Sequence, residues 1–144
     1  MKHRATKLVI ILLVIAAAIV GINGYLHYSK YKKDITPGSR FTESEINAAT
    51  EAAVKQCKNF SGVSQVIQAK YDEASSLAYL TDYIENGAGK LHGLTTDNSL
   101  VLFLDFKTNG HTTALNANAT YTHYAFIMVK HDDGKTWTLV DGGY

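Results

Sequence analysis

From residue 8 to residue 26 the chain reads LVIILLVIAAAIVGINGYL, in which Asn23 is the only clearly polar side chain. Nineteen residues at about 1.5 Å each reach roughly 28 Å, close to the hydrocarbon thickness of a bilayer, so this run predicts one transmembrane helix. The pattern then changes. HYSKYKKDITPGSR, residues 27 to 40, mixes basic charge with the only Pro of the chain and has no apolar period, which predicts a linker. In FTESEINAATEAAVKQCKNF, Thr42 and Glu45 stand as a capping box, with Phe41 and Ile46 at the positions of a hydrophobic staple, so a helix should begin at about Glu43. Ile46, Ala49, Ala53, Cys57 and Phe60 give it one apolar face, and Ser61-Gly62 ends it.

Beyond this point period two takes over. Val63 to Tyr71 reads as a modest strand. ASSLAYLTDYIENGAG follows as a helix with Leu77, Leu80, Tyr83 and Ile84 on one face and Asn86-Gly87 as its stop, and residues 87 to 98 read as a loop. In SLVLFLDFK, Leu100, Leu102, Leu104 and Phe106 point one way while Val101 and Phe103 point the other, so the strand must be covered on both sides. YTHYAFIMVKH repeats the arrangement with Tyr124, Phe126 and Met128 against Ala125, Ile127 and Val129. Asp132-Asp133-Gly134-Lys135 supplies hairpin turn chemistry, and TWTLVDGGY is the return strand. Helix, strand, helix and three strands make an α+β domain, expected as an antiparallel sheet packed on segregated helices. The organisation is a head at 1–7, a transmembrane helix at 8–26, a juxtamembrane linker at 27–40 and an α+β domain at 41–144.

Charge sharpens the division. Six of the 14 Lys and Arg precede Asp34, whereas all 13 Asp and Glu lie from Asp34 onward, so the C-terminal part carries eight basic against thirteen acidic groups, a net charge of −5. An acidic domain without a basic stripe argues against nucleic acid as a partner. Lys2, Arg4 and Lys7 abut the apolar run directly, whereas Lys30, Lys32 and Lys33 begin several residues beyond it, which favours a cytoplasmic N-terminus and an extracytoplasmic domain. A cleaved secretory signal is the competing explanation, with Ala16-Ala17-Ala18 as the small residues at the cut. Cleavage there would leave the apolar IVGINGYL as the new terminus, so the uncleaved signal anchor is the preferred reading. No Cys lies just after the run, which excludes a lipoprotein anchor, and the single Cys57 cannot form an internal disulfide.

FTESEINAA, YDEASS and the closing LNANATYTHYAFIMVKHDDGKTWTLVDGGY together resemble a family of small uncharacterised extracytoplasmic domains of Gram-positive bacteria, over about residues 41 to 144. This chain departs from the family ending, carrying Asp141-Gly142-Gly143-Tyr144 where Trp-Gly-Tyr is common. The resemblance implies a cystatin-like or NTF2-like roll, in which a curved antiparallel sheet wraps a helix, and it implies no activity. Such folds host enzymes, ligand binders and interaction modules alike.

Asp105 is the one candidate catalytic residue. It falls on the Val101 and Phe103 side of an apolar strand, where burial would raise its pKa and suit it to general acid or base work, as in some NTF2-like isomerases and dehydratases. The competing reading has it end the buried stretch and meet water or a Lys. His92, His111, His123 and His131 show no metal-ligand spacing; His123 and His131 are eight residues apart, about 26 Å on a strand rising roughly 3.3 Å per residue, and cannot share an ion. Asp132, Asp133 and Gly134 lack the remaining ligands of a calcium loop, and Cys57 reads as a buried small hydrophobe. Nine Tyr and Trp137 could line a pocket or sit at the core edge. No metal or cofactor is expected, and no ligand-binding residue can be named. The expected role is a membrane-anchored extracytoplasmic domain, non-enzymatic, binding a protein partner or a second copy of itself. The alternative is a small-molecule or catalytic NTF2-like pocket using Asp105.

Overall fold

The computed structural model describes residues 31–143. The predicted head and transmembrane helix, residues 1–7 and 8–26, lie outside the described residues, as do residues 27–30. Among the described residues no helix is long and apolar enough to cross a membrane. The domain contains, in chain order, strand β1 (Lys32–Thr36), helix α1 (Glu43–Asn59), β2 (Val63–Asp72), helix α2 (Glu73–Asn86), a short 3-10 turn (Gly89–His92), β3 (Ser99–Thr108), β4 (Thr120–Lys130) and β5 (Trp137–Gly143).

The five strands form one sheet in the order β1-β2-β3-β4-β5. β1 runs parallel to β2, with Lys32 opposite Gln68 and Thr36 opposite Asp72, and every other pair is antiparallel. The sheet is therefore mixed, which corrects the expectation of a wholly antiparallel one. It also corrects the linker assigned to residues 27 to 40, since Lys32–Thr36 is an edge strand. A parallel neighbour needs a crossover of a dozen or more residues, and the 17 residues of α1 provide it, making β1, α1 and β2 a βαβ unit.

Helix α1 starts where its cap dictates. The Thr42 hydroxyl accepts from the Glu45 N–H at 3.2 Å, and Glu45 Oε2 accepts from the Thr42 N–H at 2.8 Å. The other carboxylate oxygen of Glu45 pairs with Lys130 Nζ at 3.0 Å, so one side chain closes the cap and ties the helix to the end of β4. Phe41, just before the cap, is buried edge-on against Trp137 of β5, with centroids 5.5 Å apart. Asp72, the last residue of β2, caps α2 by accepting from the Ser75 N–H at 2.8 Å, so strand passes to helix without a loop.

The two helices lie on opposite faces of the sheet. Ile46, Ala49, Ala53, Val54 and Cys57 of α1 share one core with Leu100, Leu102, Leu104, Phe106, Phe126 and Met128. Leu80 of α2 shares a second core with Val101, Phe103, Ala125 and Ile127, flanked by Tyr79, Tyr83 and Ile84. The face of α2 is turned slightly from the expected one: Ser76 is buried and donates no apolar surface, yet its Oγ accepts from the Val101 N–H at 2.8 Å, while Leu77 is only half-buried. Strands apolar on both sides thus find both sides covered by helices of their own chain.

Truncations on the two sides of β3 test this layering. Phe103→Ala should cost about 3–5 kcal/mol and Leu104→Ala about 2–5 kcal/mol in chemical denaturation, because each opens a cavity in a separate core. A near-neutral Phe103→Ala would mean that the α2 side faces water.

Candidate functional site

Asp105 sits near the end of β3, where the ladder to β4 loses register. Leu104 pairs with Tyr124 and Phe106 with Tyr121, so two residues of β4, Thr122 and His123, stand opposite Asp105 alone. This is a β-bulge, and its residue His123 takes φ 58°, a left-handed value that costs a side chain other than glycine energy. Two contacts offset that cost. Asp105 Oδ1 accepts from the His123 backbone N–H at 2.8 Å, and the exposed His123 ring stacks on Phe103 at 4.0 Å with planes 6° apart. The other oxygen, Oδ2, pairs with Lys70 Nζ at 2.8 Å, Lys70 lying diagonally across β2 on the same face.

Asp105 is buried, its side chain 12% exposed, as the alternation in the strand leads one to expect. Burial pushes its pKa up, but the Lys70 ammonium, the His123 N–H and the nearby His123 imidazole outweigh burial and hold it below the usual value. The raised pKa expected from the sequence is therefore reversed. Asp105 is a fixed anion with both oxygens in use, joining β2, β3 and the bulge of β4.

The remaining sequence candidates are scattered. His92 is on the 3-10 turn and His111 in the loop after β3, both exposed, while His131 follows β4 with its Nε2 at 2.5 Å from Thr138 Oγ1. Among the described residues no three His, Cys, Asp or Glu side chains come together in a way that could hold a metal ion. Asp133 closes the β4–β5 turn by accepting from the N–H groups of Lys135 and Thr136 at 2.8 and 2.7 Å, with Gly134 at φ 69°. The Thr136 hydroxyl and these N–H groups hold its pKa at about 2. Cys57 is fully buried in the α1 core, where desolvation pushes the thiol up to about 12. Tyr83 donates to Asp141 Oδ2 at 2.8 Å, linking α2 to β5; burial and that carboxylate raise the phenol to about 12.

One concave feature has no counterpart in the sequence reading. A cleft of about 330 Å³ lies between the edge strand and the first turns of α1, lined by Lys33, Ile35, Pro37, Glu43 and Asn47. Asp105 does not line it. Lys33 and Ile35 share one face of β1, and Glu43 and Asn47 share one face of α1, so the walls follow from the two periodicities once β1 is recognised. The sequence signal for β1 was slight: Tyr31, Lys33 and Ile35 alternate toward α1, where Tyr31 Oη and Lys33 Nζ both reach Glu51 Oε1, at 2.9 and 2.5 Å. Comparison with family models, with curated proteins and with solved structures finds no match to the chain.

Asp105→Asn keeps the shape but leaves Lys70 without its anion, and should cost roughly 1.5–3 kcal/mol at pH 7 as a lost charged hydrogen-bond pair. A carboxyl with a lowered folded-state pKa stabilises above its unfolded value, near 3.9, and loses that contribution as pH falls further. The gap between wild type and Asp105→Asn in urea midpoint should accordingly narrow from pH 7 to pH 3. A gap that stays constant would show that the charge of Asp105 is irrelevant to the fold.

Proposed function

We propose that the chain is a membrane-anchored extracytoplasmic domain that works by binding a protein partner rather than by catalysis. The observation that carries the non-catalytic half is the commitment of Asp105 to Lys70 and to the bulge N–H at 2.8 Å each, which leaves its carboxylate no free oxygen for proton transfer. The anchored half rests on the apolar run at residues 8–26 and on the basic residues that abut its start. The finer fold likeness, a cystatin-like or NTF2-like roll, is supported by α1 lying along one face of the sheet in contact with β2 and β5.

A partner of another kind fits better than self-association through the sheet. Leu91, 89% exposed, is the one large apolar side chain exposed among the described residues, so the described surface offers no apolar patch of the size that drives pairing of two sheet faces. What it offers is solvated charge and two sheet edges, β1 and β5.

In intact cells producing the full chain, protease added from outside should remove the domain, while the residual N-terminal piece stays with the membrane through an alkaline carbonate wash. Release of the chain by the wash, or protection of the domain until the cells are broken, would contradict the reading.

A further inference from the structure

We infer that the cleft between β1 and α1 is a docking groove for an extended polypeptide segment that carries a basic side chain, added as a sixth strand along β1. This names the partner class and the surface for the interaction role proposed above and rests on that reading. Three observations carry it.

The first is the open edge. β1 ends the sheet, and nothing among the described residues pairs with its outer side. Two of the three charged side chains of β1 are engaged by the domain's own side chains. Lys33 Nζ pairs with Glu51 Oε1 at 2.5 Å, and Asp34 Oδ2 accepts from Gln68 Nε2 at 3.0 Å. The backbone of the edge is left accessible to main-chain hydrogen bonds, which supply most of the affinity when a strand is added.

The second is the cleft itself. At about 330 Å³ it has room for one long side chain beside the edge, and on the β1 side it is lined by Lys33 and Ile35, with Pro37 just after the strand; Ile35 and Pro37 suit the methylene stem of Lys or Arg. The connector that shapes it is held from below: Glu73 of α2 accepts from the N–H groups of Ser39 and Arg40 at 3.1 and 2.9 Å. A Cβ on Gly38 would fall 2.0 Å from the Glu73 carboxylate, so the residue after Pro37 must be small for that hold to form.

The third is charge. The side chains of Glu43 and Asn47 on the opposite wall bond to no other described residue, and Glu43 is exposed. With Lys33 neutralised by Glu51, the unbalanced group of the cleft is the Glu43 carboxylate, which calls for a cation at the tip of the inserted side chain. A second copy is a poor occupant, because antiparallel pairing of β1 with β1 centred on Asp34 would set two like-charged Asp34 side chains opposite each other.

The test uses the full chain in detergent and fluorescent, end-capped heptapeptides of alternating Thr and Gln whose central residue is Lys, Gln or Glu. The Lys peptide should bind about tenfold or more tightly than the Glu peptide, the ratio expected from one charged contact. N-methylation of alternate peptide nitrogens, which removes ladder donors, should abolish binding. Glu43→Gln should erase the preference for Lys, and Glu43→Lys should turn it toward Glu, with unchanged circular dichroism in both. No binding of the Lys peptide at millimolar concentration, equal binding of the three peptides, a preference that survives Glu43→Gln, or undiminished binding of the N-methylated peptide would each overturn the inference. The protease and carbonate experiment reads membrane placement independently, so failure of the groove would leave the anchored reading standing.

Discussion

Strand β3 has no side that can face water. Its inner positions Leu100, Leu102, Leu104 and Phe106 and its opposite positions Val101 and Phe103 are all buried, and its neighbour β4 repeats the condition with Phe126 and Met128 against Ala125 and Ile127. Two adjacent strands of this kind need two covering layers, and a chain of this length has only α1 and α2 to supply them among the described residues. The rest of the arrangement follows. α1 must cross one face, so it enters between β1 and β2; α2 must cross the other, so it leaves β2 directly at the Asp72 cap and returns to β3. Polar contacts fix the helices to the sheet, among them the Glu45–Lys130 pair and the Tyr83–Asp141 hydrogen bond near helix ends and the Glu51 contacts to Tyr31 and Lys33 in the middle of α1.

Much of this was legible because it rests on local rules. The capping box at Thr42, the alternation in β3 and β4 and the Asp-Gly turn each involve residues within a few positions of one another, and each is found where the pattern puts it. β1 was not legible, since KKDIT is short, charged and half in water, and its strand state comes from pairing with β2 more than thirty residues away. With β1 hidden, the crossover and the parallel pair were hidden too. The side of Asp105 could be read from parity, but not its ionisation. That depends on Lys70, a diagonal neighbour across β2, and on a bulge that turns a backbone N–H toward the carboxylate, neither of which has a one-dimensional signature.

The charged groups of the domain divide into those that hold the fold and those left over. Asp105, Lys70, Glu45, Lys130, Glu51, Lys33, Glu73 and Asp133 are each bound to a specific partner that fixes a strand, a cap or a turn. Glu43 is one of several left over, and the one carboxylate that lines the cleft beside the open sheet edge. Chemistry of the acid and base kind needs groups free to change protonation, whereas recognition needs fixed ones and a complementary gap, and the proposed recognition role rests on that contrast.

Whether one chain covers both faces of its own sheet can be read from native-state hydrogen exchange of the full chain. The amides of β3 and β4 should exchange slowest, through global unfolding alone, at rates that do not change with protein concentration. Exchange at Val101 and Phe103 that is fast in dilute protein and slows as concentration rises would show that a second copy, not α2, closes that face.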